Sequence, residues 1–499
     1  MALIVIVCIF TVKAGRCIFP PGTGWIMTGA VLWSLPILWS PVIAWQWNAL
    51  PKVLALWGLI AVWLLLLRSG CSFRLRNPWL LILVAAAILQ VIYGAVQLSD
   101  LPNLVGKRPY GSFQQVNVYA SFLATGLLCA LWLFTRCRHR IPANLSAIAL
   151  VFIPAMLVLV QSRTGYLGAA IGAVILLVIA GKTRRTGVAL LLLAVGVMIG
   201  LFLLRFGPQL FPGMIPSMVE KEGSTLERWY ILRLTWQLIL NHPFVGNGYG
   251  SFEALFGQLA YLMPAGLRYT TIMYPHNELL YTWMEGGVVA VAGVLLMVGG
   301  ILKRLWGKGG RRWAGLALLL PIALHVNLEY PLYQSVTHGI TLILLLVITG
   351  PAGRVHHSVS RFDNAQRIGA GIVASGVLVF MVTGVITEVQ LTRIEQQGLV
   401  PLAQDESTVV ASLINPWSQY ERLDFDRHVA LLMKFNITQD PTLLTQFQTW
   451  AEAYIRVHNN PDVYNSLLMI YRALGAPSAQ TLCLRANVMW PEDVRFNCQ

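Results

Sequence analysis

Isolated arginines and histidines beside long apolar runs are the residues in this 499-residue sequence best suited to chemistry. Arg163 lies in the segment QSRTG between two apolar runs, and His276 follows Tyr274 and Pro275 just before another. Polar side chains next to membrane spans are costly, so they are candidates for function. Arginine stays charged and donates forked hydrogen bonds to a pyrophosphate. Histidine can take a proton from a hydroxyl group near neutral pH.

Together these residue types predict attack by an acceptor hydroxyl on a carbon whose leaving group is a lipid pyrophosphate. His276 would be the general base, and arginines would stabilise the charge that grows on the leaving group. Arg228 and Arg233 are further candidates, on an amphipathic helix predicted over 226–240. They lie on broadly different faces, so we expect only one of them to point into a site. Contact with phospholipid headgroups is the alternative role for this pair.

Further polar residues lie at the predicted ends of spans, on the same side. His325 and Glu329 are i, i+4 neighbours that could orient a catalytic group or simply pair with each other. Residues 108–117 could instead cap a helix and anchor it at the interface. The predicted substrate-binding residues are Arg233, Arg108, Asn117, Gln114, Asn277, Glu278, His325, Glu329 and Tyr330. No carboxylate cluster on this side suggests a metal, and we predict no cofactor.

The composition indicates the elements that position these residues. The chain is 56% hydrophobic and 11% charged, whereas a soluble domain carries about 25% charged residues. This balance predicts an all-α membrane protein. The net charge of +15 could suggest nucleic acid. However, the basic residues form short clusters between apolar runs, as positive-inside topology signals do, so we predict no nucleic-acid partner.

Eleven apolar runs are long enough to cross a bilayer. They lie near 26–46, 51–67, 78–98, 116–135, 143–161, 164–181, 186–206, 280–302, 313–331, 333–350 and 368–388. The run 1–12 is too short to cross alone and lacks a signal-peptide cleavage pattern. With eleven spans every basic cluster falls on one side, which is then cytoplasmic. The opposite side holds the candidate site.

Two parts of the chain differ in composition. Residues 1–389 form the predicted membrane domain, in which 207–279 is a large periplasmic loop. Residues 390–499 form a predicted periplasmic helical domain, with helical stripes at 444–457 and 463–474 that loosely fit a tetratricopeptide repeat. Such a unit usually binds peptide or packs on a neighbour. Cys483 and Cys498 are the only outer-side cysteines, so we predict a disulfide, with two free thiols as the alternative.

An ordered set of motifs resembles the O-antigen ligase and polymerase superfamily. The motifs are RPYGSFQQVN (108–117), SRTG (162–165), NHPFVGNGYGSF (241–252), PHNELLYTWMEGG (275–287) and HVNLEYPL (325–332). Within that superfamily the chain most resembles the PglL-type bacterial O-linked protein oligosaccharyltransferases. Those enzymes glycosylate type IV pilins and other periplasmic proteins from the inner membrane. The short N-terminal run departs from their usual first transmembrane segment.

The resemblance implies an undecaprenyl-pyrophosphate-linked glycan as donor, a serine or threonine of a pilin-like or other periplasmic protein as acceptor, and no metal. It implies that the essential histidine of the family is His276. It implies donor-binding arginines at Arg163 and at either Arg228 or Arg233. Asn117 fits the asparagine at the start of the matching span.

Two alternatives remain at this point. The same chemistry would serve an O-antigen ligase or a Wzy-type polysaccharide polymerase, although a sugar acceptor would not need a peptide-binding platform at 390–499. A membrane transporter is the more remote alternative. Transporters often show inverted repeats and polar residues at mid-membrane, but this sequence has no evident repeat and its polar residues cluster at one interface.

Overall fold

A computed structural model describes residues 16–68, 76–104, 107–219, 222–268, 271–306, 311–350, 354–357 and 363–498. The predicted first segment, 1–12, lies outside these ranges. The described chain is overwhelmingly helical, and one short antiparallel pair of strands joins β1 (Arg16–Phe19) to β2 (Arg354–His357).

The α-helices follow in chain order. They are α1 (Thr23–Ser34), α2 (Ile43–Arg68), α3 (Arg76–Leu98), α4 (Val116–Arg136), α5 (Arg140–Val160), α6 (Arg163–Ala180), α7 (Arg184–Leu210), α8 (Glu222–Asn241), α9 (Phe252–Gln258), α10 (Glu278–Leu305), α11 (Arg311–Val326), α12 (Pro331–Gln334), α13 (Val336–Thr349), α14 (Asp363–Gln396), α15 (Val400–Gln404), α16 (Glu406–Ser412), α17 (Tyr420–Thr438), α18 (Pro441–Tyr454), α19 (Pro461–Ala473) and α20 (Ser478–Met489).

The described helices confirm an all-α polytopic membrane protein. Eight of them are long and apolar enough to cross a bilayer, namely α2–α7, α10 and α14. Three shorter apolar helical segments, Thr23–Trp39, Arg312–Val326 and Val336–Thr349, coincide with the other predicted spans. Each of the eleven sequence-predicted spans therefore corresponds to one apolar helical segment.

The predicted boundary between the first two spans is wrong. The sequence suggests a break at 47–50, before Pro51, but Pro51 lies inside α2. The break instead lies at Ser40, which is extended (φ −59°, ψ 126°) just before Pro41. Inside a membrane helix a proline is tolerated, because neighbouring groups satisfy the carbonyl that it frees. Proline therefore marks the break at position 41 and not at position 51.

Helix α4 is the centre of the bundle. It is buried over most of its length and packs against α3, α5, α6 and α11. By contrast, α7 and α14 expose most of their apolar side chains, as helices that face lipid do. The N-terminal end of α4 is thus held among several helices, and its first residues contribute to the candidate site.

A kink in α10 anchors the large loop that precedes it. Gly287 has a left-handed backbone (φ 64°) inside this helix, a conformation that glycine adopts without steric cost. Around the kink, Asn247 N donates to Met284 O (2.8 Å) and Gly248 N donates to Glu285 O (3.0 Å). The loop therefore satisfies helix carbonyls at the kink, and α8 packs against α10.

The C-terminal helices form a second hydrophobic core, centred on α18, α19 and α20. The predicted stripes at 444–457 and 463–474 fall on α18 and α19. Asn460 caps α19 by accepting from Asp462 N (2.9 Å) and Val463 N (3.2 Å). Cys483 and Cys498 are joined by a disulfide, with Cα atoms 5.8 Å apart. Helix α14 runs without interruption past the predicted domain boundary at 389.

Candidate active site

The buried carboxylate of Glu329 is the centre of the polar cluster. Its Oε2 accepts from Gln115 Nε2 (2.9 Å) and lies 3.2 Å from His325 Nε2. Its Oε1 accepts from Asn117 Nδ2 (2.5 Å) and from the Arg228 guanidinium. A carboxylate offers about four acceptor positions, so these four partners saturate it. Glu329 therefore orients its neighbours and has no free lone pair for taking a proton from a substrate.

The surroundings of Glu329 keep it ionised. Burial by itself raises the pKa of this carboxyl group, but the hydrogen bond from His325 and the positive charge of Arg228 lower it. The net effect holds the pKa of Glu329 below its ordinary value. The carboxylate is thus a fixed negative charge at neutral pH.

A chain of buried side chains supports His325. Its Nδ1 lies 2.7 Å from Ser121 Oγ, which lies 2.8 Å from His338 Nε2. His338 Nδ1 in turn lies 2.9 Å from Ser335 Oγ. One assignment of protons satisfies every link: Ser335 donates to His338, His338 to Ser121, Ser121 to His325, and His325 to Glu329. The chain therefore holds the ring of His325 in the tautomer that donates to the carboxylate.

Local sequence explains why several helix ends meet here. Gln115 caps α4 by accepting from Val118 N (2.7 Å) while its amide donates to Glu329. Ser162 caps α6, and its hydroxyl donates to Asn117 Oδ1 (2.7 Å). Each of these capping side chains thus also joins the polar cluster.

Arg228 and Arg108 interact with this carboxylate, and Arg163 contacts the helix that carries Arg228. Arg228 on α8 contacts the carboxylate, although 37% of the Arg228 side chain is exposed. Arg163, at the exposed start of α6, donates to Thr225 Oγ1 (2.9 Å) on α8. Arg108 is half-buried, and burial lowers its pKa while the charge of Glu329 raises it. Arg228 and Arg108 thus bring two positive charges close to the carboxylate of Glu329.

Arg233 behaves differently from Arg228. Its side chain is exposed and forms no hydrogen bond or ion pair with any residue that the structure describes. The sequence left open which of the two arginines reaches a site, and the structure brings only Arg228 into the polar cluster.

His276 lies beside this cluster in a strained backbone conformation. Its φ is +57°, which is uncommon for a residue other than glycine and is often found at functional sites. Its ring centroid is 5.3 Å from that of Tyr330, and its Nδ1 is buried without a hydrogen-bond partner among the described residues. Burial and then the charge of Arg228 lower the pKa of His276, while Glu329 raises it. The imidazole is therefore neutral at pH 7 and has an unused nitrogen.

Other predicted site residues have structural partners. Asn277 caps α10 by accepting from Leu280 N (2.9 Å), and it donates to Asn327 O (3.0 Å). Glu278 accepts from Tyr333 Oη (2.7 Å). Gln114 is exposed and does not join the hydrogen-bond network in the described part of the chain, whereas the next residue, Gln115, does.

Sequence reasoning missed Ser121, His338 and Ser335. Ser121 and His338 lie within predicted spans, where a polar side chain is itself a signal of an internal partner. That signal was easy to miss, because both residues lie within apolar sequence and serine is common in membrane helices.

Sequence reasoning also missed an ion pair between Lys52 and Glu285, which joins α2 to α10. The ammonium of Lys52 lies 4.3 Å from the ring centroid of Tyr249. Glu285 also accepts from the backbone N–H groups of Gly250 (3.0 Å) and Phe252 (3.2 Å). This pair fixes the loop before α9 against the bundle.

Three models of known protein families match parts of this chain. A model described as O-antigen ligase matches residues 147–295, and one described as virulence factor membrane-bound polymerase, C-terminal, matches 313–497. A model described as protein glycosylation ligase matches 109–134. A search of curated proteins found no match.

These matches and the helical bundle define a multi-pass membrane enzyme that transfers glycosyl groups. Together the three models support a place in the O-antigen ligase superfamily, and the match that supports the PglL type is confined to residues 109–134. The three matched regions contain Asn117, then Arg163, Arg228 and His276, and then Glu329, in that order.

We expect Glu329→Gln to lower the free energy of unfolding by about 1–3 kcal/mol. The new amide would face donor groups and leave some of them unsatisfied, and Arg228 would lose its ionic partner. Gln114→Ala is the matched control, because Gln114 is exposed and makes no hydrogen bond to the described residues. Thermal unfolding in detergent measures both. Equal melting temperatures for wild type and Glu329→Gln would contradict the central role of this carboxylate.

Proposed function

We propose that this protein is an O-oligosaccharyltransferase that moves a glycan from undecaprenyl pyrophosphate to a serine or threonine of a pilin-like or other periplasmic protein. We infer that it does so in the bacterial inner membrane, with the site on the periplasmic side. The observation that carries this proposal is the neutral, half-buried His276, which has an unused nitrogen and lies in the field of Arg228.

In the proposed reaction His276 takes the proton from the acceptor hydroxyl as its oxygen attacks the anomeric carbon of the glycan. The bond between that carbon and the pyrophosphate oxygen breaks, and its electron pair stays on the pyrophosphate. Arg228 and Arg163 would donate hydrogen bonds to the charge that forms there. The lipid pyrophosphate leaves, and the histidinium then returns its proton to solvent or to the leaving group.

The pairing of Arg228 with Glu329 supports this assignment. A guanidinium carries five N–H donors in a fixed plane, and the carboxylate holds one edge of that plane. The exposed part of Arg228 remains free to meet a phosphate. A pre-oriented arginine loses less conformational entropy on binding than a mobile one.

The position of the C-terminal helices supports a protein acceptor. Asn459, which precedes α19, donates from its backbone N to Glu253 Oε1 (2.6 Å) on α9. Its carbonyl accepts from Thr271 Oγ1 (2.5 Å). Thr271 is five residues before His276, which is at most about 17 Å of extended chain. We therefore propose that residues 390–499 form a periplasmic domain that presents the acceptor polypeptide.

A second function with the same chemistry uses a sugar hydroxyl as acceptor, as in an O-antigen ligase or a polysaccharide polymerase. The match of 313–497 to a polymerase C-terminal model favours it. The two functions differ in product, since only the second would change the lipopolysaccharide or polymer profile of the cell when the gene is deleted.

Co-expression with a lipid-linked glycan and a pilin-like acceptor tests the proposed function. We expect intact-mass spectrometry to show a glycan-sized gain on the acceptor with wild type and none with membrane-inserted His276→Ala. A gain with His276→Ala would exclude this histidine as the base. No gain on any acceptor, together with altered lipopolysaccharide, would favour the sugar acceptor.

The two arginines of α8 provide a matched pair. We expect Arg228→Ala to lower kcat about 100-fold, the usual loss when a group that stabilises transition-state charge is removed. Arg233→Ala removes the same charge from the same helix at an exposed position and should leave kcat near that of wild type. Glycan transfer to a purified acceptor in liposomes measures both variants. Equal losses would show that only the net charge of α8 matters.

The pH dependence of transfer provides a further test. His276 acts as a base only when neutral, so activity is present above its pKa and is lost as the pH falls through it. Because burial and Arg228 lower that pKa, the acid limb should lie below the ordinary value of histidine. Arg228→Gln should move the acid limb to higher pH, and Glu329→Gln should move it to lower pH. Shifts in the same direction would contradict this assignment.

A further inference from the structure

The segment 413–420 folds back along helix α14, although composition assigns it to the domain outside the membrane. Asn415 Nδ2 donates to Phe380 O (3.0 Å) and to Thr383 Oγ1 (3.0 Å). The backbone N of Asn415 donates to Thr387 Oγ1 (2.9 Å). These contacts attach the segment to the apolar part of α14.

The residues that flank this segment contact α14 nearer to its C-terminal end. Gln390 donates to Ser412 O (3.1 Å), and Arg422 donates to both carboxylate oxygens of Glu395 (2.6 Å each). The chain therefore descends along α14, turns between Asn415 and Ser418, and returns. The tip of this turn is the part nearest to the middle of α14.

The sequence of α14 sets the depth of this tip. Residues 368–387 contain no charged side chain, and a run of about 20 residues matches the 30 Å hydrocarbon core. The first charged residue after that run is Glu388. At 1.5 Å per residue, Phe380 and Gly384 lie about 5–10 Å inside the outer edge of the run. An amphipathic segment at an interface is buried to about the same depth.

The side chains at the tip suit that depth. Ile414 is 56% exposed, Trp417 is 77% exposed and Tyr420 is 55% exposed. The rings of Trp417 and Tyr420 stack with centroids 6.2 Å apart. Tryptophan and tyrosine are enriched at membrane–water interfaces, where their rings sit at headgroup level.

Two polar side chains of the tip, those of Asn415 and Ser418, have partners within the protein, as a segment in lipid requires. Asn415 Oδ1 accepts from Ser418 N (3.3 Å), and Ser418 Oγ donates to Asn415 O (2.7 Å). The position of a Cβ on Gly384 would be 3.0 Å from Ser418 Cβ, so the turn packs closely on α14.

We propose that residues 413–420 are an interfacial anchor, inserted at the boundary between phospholipid headgroups and acyl chains beside the outer end of α14. Its partner is the bilayer itself, and the exposed rings of Trp417 and Tyr420 are the groups that enter it. The anchor fixes the height of the C-terminal helices above the membrane, because α17 begins at Tyr420.

Photocrosslinking in the full-length protein tests this proposal. Benzoyl-phenylalanine replaces Trp417, and the protein is reconstituted in liposomes of phosphatidylethanolamine and phosphatidylglycerol. We expect a phospholipid adduct by mass spectrometry after illumination. The matched control is the same replacement at Val494, which is 87% exposed in a polar C-terminal segment and should give no adduct. Equal adducts at both positions would overturn the proposal, as would crosslinks from 417 to a second copy of the chain.

A second measurement needs only a conservative variant. In liposomes that contain bromine-labelled acyl chains, the bromine atoms quench the emission of every tryptophan whose indole reaches the lipid. We expect Trp417→Phe to remove part of the quenched emission. If the variant instead loses emission that bromolipid does not quench, Trp417 faces water and the proposal fails.

Discussion

The buried carboxylate of Glu329 organises the end of the helix bundle at which α4 begins and α11 ends. Its hydrogen-bond partners come from three separate parts of the chain: the start of α4, helix α8 and the end of α11. An unpaired charge at such a site would be strongly destabilising. The carboxylate therefore requires its donors, and each donor is in turn held in one orientation. The side chain of Arg228 is held in place in this way, by its ion pair with Glu329.

Arg228 then has two effects on the proposed chemistry. Its exposed edge provides positive charge for a pyrophosphate, and its field lowers the pKa of His276. Both effects depend on the large loop being fixed, since this loop carries both α8 and the segment that leads to His276. The ion pair of Lys52 with Glu285 and the kink at Gly287 hold that loop against the bundle.

The sequence predicted those parts of the structure that depend on local spacing. Apolar runs predicted the helices, and i, i+4 spacing predicted the pairing of His325 with Glu329. A lone cation outside the basic clusters indicated Arg163, and the amphipathic stripe over 226–240 indicated Arg228 or Arg233 without deciding between them. Contacts between distant segments could not be predicted, because neither the link of Ser121 to His338 nor that of Lys52 to Glu285 has a local pattern. The same reason hid the return of residues 413–420 to the membrane span.

The affinity of undecaprenyl pyrophosphate for wild type and Glu329→Gln in nanodiscs tests the central claim most directly. If net charge alone decided the affinity, removing the negative charge of Glu329 would tighten the binding of the pyrophosphate. If Glu329 instead positions Arg228 and its neighbours, binding weakens in Glu329→Gln while the variant remains folded. Equal or tighter binding in the variant would contradict the account.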